Sequence, residues 1–150
     1  MHTLYKIYYG ETCVYLGRTN QPIATRLRGH FFAKPMHKMI EITIVTKIEI
    51  CTLKTEADMY LYEIYYINLL KPALNRDDKA FDELSVILPE LDWKEYKPPR
   101  MDVWLKIMVE QEEADKLQKE NERERFQRKM EARKTLKEDA YLEWLEDNGY

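Results

Sequence analysis

Apolar and polar positions divide this chain into several short elements followed by one long one. Leu4 to Tyr9 and Cys13 to Arg18 are rich in aromatic and β-branched residues on either side of Gly10-Glu11, a pattern that predicts a hairpin with its turn at Gly10 and brings Tyr8 and Tyr15 near each other. Pro22 then stands where a first helical turn tolerates it, and Ile23, Leu27 and Phe31 recur every fourth residue as a buried stripe. From Pro35 both periods fit: Met36, Met39, Ile40 and Ile44 match a helix and Ile40, Ile42 and Ile44 a strand; we read a short helix. Lys47 to Leu53 reads as a strand. Thr55 with Asp58 three residues later opens the next helix as a capping box. That helix, Glu56 to Leu70, is apolar almost all round, which predicts a central position, and Pro72 ends it.

A charged loop follows, Arg76-Asp77-Asp78-Lys79, then an apolar stretch from Leu84 to Leu88 and a break at Pro98-Pro99. Met101 to Leu145 contains no Gly or Pro and is dense in Glu, Lys, Arg and Gln, so it reads as one long helix. Pairs such as Glu112 with Lys116, Asp115 with Lys119 and Glu124 with Arg128 each add about 0.2–0.5 kcal/mol to it. The fold class is therefore α+β, with a body over residues 1–80, a connecting segment over 81–99 and a charged helical extension over 100–150. The extension lacks a sustained heptad, which favours a solvated arm over a regular coiled coil. Its ends are apolar: Val103, Trp104, Ile107 and Met108 suit docking on the body, and Tyr141, Leu142, Trp144 and Leu145 suit a second copy of the chain or another protein.

At 150 residues, one ordinary domain plus an appendage is the natural size. The net charge of −3 hides an asymmetry, since residues 1–80 carry 11 Lys/Arg against 8 Asp/Glu and residues 81–150 carry 13 against 19. A positive first half suits an anionic ligand, whereas an acidic second half is expected to repel one. Cys13 and Cys51 each lie in an apolar run and read as reduced thiols. With no apolar run near the ~18 residues of a spanning helix and no signal-peptide architecture at the N-terminus, a soluble cytoplasmic protein without membrane contact is expected.

Candidate chemistry gathers early. Thr12 to Ile40 contains Arg18, Arg26, Arg28, Lys34 and Lys38, two histidines, and no Asp or Glu, so a polyanion is the fitting ligand. Arg26 and His30, four apart, share a helix face and can address one phosphate together. Past the first turn, Glu63 is the only carboxylate within its apolar helix; an unpaired charge there requires a cation, and a hard ion such as Mg²⁺ satisfies it with one carboxylate and water. Taken singly, each residue also has a structural reading: hairpin tyrosines usually pack, and Glu63 can pair with Arg26.

In order and spacing, Lys6-Ile7-Tyr8, Tyr15-Leu16-Gly17-Arg18-Thr19, Arg26 with Arg28-Gly29-His30-Phe31, Glu63, and Pro72-Ala73-Leu74-Asn75 resemble the GIY-YIG endonuclease family, which includes intron-homing nucleases of mobile elements, restriction enzymes and a repair incision subunit. Two motif positions depart, with Lys6 for the first Gly and Leu16 for the second Ile. The resemblance covers about the first half of the chain. It implies a small three-stranded antiparallel sheet flanked by helices, and hydrolysis of DNA one strand per encounter. It further implies one Mg²⁺ or Mn²⁺ per active site on Glu63, with Tyr8, Tyr15, Arg26, His30 and Glu63 catalytic and Arg18, Arg28, Lys34 and Asn75 holding substrate. Tyr8 is then the general base, which requires nearby cations to lower its phenol from about pKa 10. Two alternatives remain open: a non-cleaving nucleic-acid-binding module whose helical tail recruits a protein, and a nuclease directed to branched DNA or RNA.

Overall fold

The computed structural model describes residues 1–32 and 40–149. Residues Met1–Leu105 form one compact unit and Lys106–Tyr150 a second. The first is built on a hairpin of β1 (His2–Tyr9) and β2 (Thr12–Thr19). Gly10 makes the turn with φ +61, a left-handed conformation that costs glycine nothing. Helix α1 (Ile23–Phe32) follows, with the Pro22 carbonyl accepting from the backbone N–H of Thr25 and Arg26. Leu27 and Phe31 are buried, as the fourfold spacing predicts.

Strand β3 (Lys47–Leu53) pairs with β1, so β1 is the central strand of the hairpin layer. Helix α2 (Glu56–Leu70) starts where the capping box places it, the Thr55 hydroxyl accepting from Asp58 N at 3.0 Å. It ends at Lys71, whose left-handed backbone (φ 46) closes the last turn before Pro72. A two-residue strand β4 (Lys94–Glu95) adds to β3, giving a four-stranded antiparallel sheet in the order β2-β1-β3-β4. The three strands expected are thus joined by a fourth. It comes from the segment expected to connect, because Tyr96 N donates to Ile48 O and Leu91 and Trp93 pack on Leu16, Tyr66 and Ile67. The first unit accordingly extends past residue 80 to Leu105.

Two other expectations meet a different outcome. Helix α2 buries Met59, Tyr66, Ile67 and Asn68 but leaves Tyr60, Leu61, Ile64, Leu69 and Leu70 exposed, because it packs against one side of the sheet; it is not central. The short helix expected from Pro35 falls mostly on residues outside the described ones, and the part that is described forms a single 3-10 turn over Ile42–Ile44. Trp104, by contrast, is buried edge-on against Phe31 and Phe32 in the first unit, as its apolar neighbours suggest. Cys13 and Cys51 are both free thiols. Helix α3 (Met101–Asp147) begins within the first unit and makes up nearly all of the second. Among the described residues, no helix is long and apolar enough to cross a membrane.

Candidate active site

The register of the hairpin decides which side chains meet. A regular hairpin turning at Gly10-Glu11 places Tyr15 opposite Lys6, on the face that carries Tyr8. A β-bulge between Ile7 and Tyr8 instead sets Tyr15 opposite Ile7 and Gly17 opposite Tyr5. Side chains alternate across a strand, so Tyr15 shares its face with Tyr5, and Tyr8 points to the other side. The tyrosine that meets Tyr15 is therefore Tyr5, which was not among the candidates.

Tyr5 is fully buried. Its hydroxyl lies 2.5 Å from His30 Nε2, to which it donates when the neutral imidazole carries its proton on Nδ1, and accepts from Arg26 Nε at 3.2 Å. Tyr15 stands against both, its ring 6.1 Å from that of Tyr5 and 5.0 Å, edge-on, from that of His30. Gly17 makes this convergence possible: a Cβ on it would lie 2.5 Å from Tyr5 Oη and 2.8 Å from Tyr15 Cε1. Helix α1 contributes Arg26 and His30 from one face, as their spacing predicts. Arg28, two residues on from Arg26, is exposed and on a different face. Lys34 lies outside the described residues.

Strand β2 is at the edge of the sheet, and a cleft of about 240 Å³ is lined by its Tyr15 together with Glu63, Asn75, Asp77 and Asp78. Glu63 is not unpaired. Arg18 Nε lies 3.2 Å from its Oε2, and the same guanidinium sits 4.0 Å above the Tyr60 ring. The cation that burial of Glu63 demands is thus supplied by Arg18, not Arg26, because Arg18 projects from β2 toward α2. Even so, burial keeps the Glu63 carboxyl above its ordinary value, with Arg18 opposing and Asp78 adding to it. Asn75 grips the backbone of β2: its side chain accepts from Leu16 N at 2.9 Å and donates to Leu16 O at 2.8 Å.

Electrostatics differ from the expectation that cations lower a phenol. Burial, with a contribution from Tyr15, pushes the Tyr5 hydroxyl far above its ordinary value despite Arg26. The same burial, helped by Arg26, pushes His30 down to about 4. His30 is therefore neutral at pH 7 and free to accept the Tyr5 proton. Since its folded pKa lies below the ordinary ~6.5, His30 contributes stability that is present above pH ~6.5 and lost as pH falls toward 4. Urea unfolding is expected to show the wild type losing on the order of 2 kcal/mol more than His30→Asn between those two pH values; parallel losses would count against the buried neutral imidazole.

On the opposite face, Tyr8 donates to Glu49 Oε2 at 2.7 Å, with Lys47 4.2 Å above its ring. Burial first and then this bond raise the Tyr8 hydroxyl well above its ordinary value. Lys6 joins the same group, 3.5 Å from Glu49 and 3.9 Å over the Trp93 ring. Neither Lys6 nor Tyr8 reaches the Tyr5 cluster. No protein-family model, curated protein or solved structure matches this chain.

Proposed function

We propose that this chain is a metal-dependent endonuclease of the GIY-YIG type, hydrolysing DNA phosphodiesters one strand at a time. One observation supports this above all: Tyr5, Tyr15, Arg26 and His30 converge, and Tyr15 shares its cleft with the carboxylate of Glu63. With Tyr5 in the place of the first motif's tyrosine, the resemblance runs through Thr3-Leu4-Tyr5. Lys6 then becomes an ordinary strand residue of the other face and carries no weight for a non-cleaving module.

The chemistry follows from the hydrogen bonds. Tyr5 Oη is closed to solvent between His30 and Arg26, so the attacking water reaches it when the exposed Arg26 turns to the phosphate. The water then gives a proton to Tyr5 Oη as the Tyr5 proton passes to neutral His30 Nε2, and no free phenolate has to form in a site that disfavours it. The resulting hydroxide bonds to phosphorus as the bond from phosphorus to the 3′ oxygen breaks; the departing oxygen takes a proton from solvent water, His30 returns its proton to solvent, and the new ends carry a 3′ hydroxyl and a 5′ phosphate. Arg26, once turned, directs its N–H groups to the phosphoryl oxygens as charge develops there. Asn75 holds Leu16 and so keeps the Tyr15 strand in register.

A divalent ion fits Glu63. Among the described residues no three His, Cys, Asp or Glu side chains gather as a cage, which leaves one carboxylate and water, the sparse set that Mg²⁺ or Mn²⁺ accepts in a cleft open to solvent. Arg18 is exposed while the Glu63 carboxylate is mostly buried, so an ion that displaces Arg18 has to take over as the counter-charge of that carboxylate. When bound, the ion would neutralise charge on the phosphate and leaving oxygen. Supercoiled plasmid incubated with Mg²⁺ is expected to relax, with Glu63→Gln slowing nicking at least ~100-fold; undiminished nicking by that variant would remove the carboxylate from the reaction.

A further inference from the structure

The net acidity of the second half averages three blocks of unlike charge. Residues 116–137 carry nine Lys/Arg against four Glu, whereas residues 138–147 carry five acidic residues and no Lys or Arg. Every residue from Lys116 to Lys137 is exposed on α3. At 3.6 residues per turn, Lys116, Lys119, Arg123, Arg133, Lys134 and Lys137 fall within one arc of about 120°. Phe126 and Met130 lie between them on that arc, and Tyr141 and Trp144 continue it toward the C-terminus. No Asp or Glu enters the arc from Lys116 onward; Glu120, Glu122, Glu124, Glu131 and Glu138 lie outside it.

We infer that this stripe binds a single nucleic-acid strand with accessible bases, the cations meeting phosphates and the rings stacking on bases. Charge complementarity selects a polyanion. The interleaving of exposed aromatic rings with cations on the same face matches how single strands are held, by backbone charge and base stacking together. Tyr141 and Trp144 are already parallel, with centroids 6.3 Å apart and planes within 15°, so a base can add to an existing stack. A duplex groove fits less well, because its two phosphate walls would meet the carboxylates that flank the arc. An anionic membrane fits less well too, since cations and apolar residues share one face where an interfacial helix separates them. Lys134 is engaged with Glu138 at 3.8 Å, an exposed pair that phosphate displaces at little cost.

The inference goes beyond the endonuclease reading and does not depend on it, since binding is measured in EDTA. The full chain is titrated by fluorescence anisotropy against a labelled oligothymidine of about 24 nucleotides, the matching duplex, and anionic phosphatidylserine vesicles. The single strand is expected to bind about tenfold or more tighter than the duplex and to quench tryptophan emission, the quench falling in Trp144→Phe. Lys119→Glu/Arg123→Glu/Arg133→Glu is expected to weaken binding about tenfold or more and to flatten the log K against log salt slope by roughly 2, with helicity by circular dichroism unchanged. Unaltered affinity in the triple variant, equal or tighter binding of the duplex, or preference for vesicles would each overturn the inference. Failure of plasmid nicking would leave it standing, so the two readings fall separately.

Discussion

Tyr5→Phe is expected to slow phosphodiester cleavage by about two to four orders of magnitude, while Tyr8→Phe leaves it within about twofold. The contrast follows from position, because the two phenols lie on opposite faces of β1. Tyr5 Oη is the atom that joins His30 to Arg26, and removing it breaks the proton path and releases the guanidinium at once. Tyr8 Oη serves only Glu49. Tyr5→Phe loses two hydrogen bonds and Tyr8→Phe one, each worth about 1 kcal/mol, so thermal unfolding is expected to shift modestly in both and about twice as far in Tyr5→Phe. Stability therefore separates a general loss of structure from a specific loss of chemistry. A damaged Tyr8→Phe beside an active Tyr5→Phe would move the site to the other face and end the mechanism proposed above.

Gly17→Ala is expected to be as damaging, by a different route. The added Cβ would meet Tyr5 Oη at 2.5 Å, Tyr5 Cζ at 2.6 Å and Tyr15 Cε1 at 2.8 Å. These are ring atoms of side chains fixed by packing, and Tyr5 has no exposed surface through which to retreat. Overpacking of this kind costs about 1–3 kcal/mol. It also pushes the Tyr5 hydroxyl off His30, so cleavage is expected to fall about as far as in Tyr5→Phe. Chemical denaturation checks the first effect and plasmid nicking the second. In the double variant Gly17→Ala/Tyr5→Leu the destabilisation is expected to be less than the sum of the two single ones, since the clash has lost one partner. Full additivity would mean that the glycine serves the backbone and not the ring.

Local signals placed most elements well. The hairpin, α1, β3, the Thr55 cap, α2 and the long α3 all follow from periodicity, turn chemistry and capping, which act over a few residues. Arg26 and His30 were legible for the same reason, because a spacing of four on a helix fixes a shared face. Tyr5 was hidden by a single extra residue in β2: without the bulge the alternation pairs Tyr15 with the Tyr8 face, and nothing in the composition of residues 12–15 announces the slip. The partner of Glu63 was equally out of reach, since Arg18 meets it only once α2 is laid across the sheet. The exposed half of α2 shows the converse limit. An all-apolar helix signals burial potential, whereas the number of layers packed against it is a tertiary fact. In α3 the block structure of charge was present in the sequence but vanished when summed over 70 residues, and only the helical wheel recovers it.

The hold of Asn75 and Leu74 on β2 has one more implication. Outer strands of sheets offer unsatisfied amides to any passing β-segment, and proteins need a means of refusing that offer. Here Leu74 N bonds Val14 O while Asn75 takes both backbone groups of Leu16, so two residues imitate a neighbouring strand without being one. The same stretch that fastens the cleft therefore also blunts the molecule's most adhesive border, and loosening it invites fibre-like association as well as a misaligned pocket.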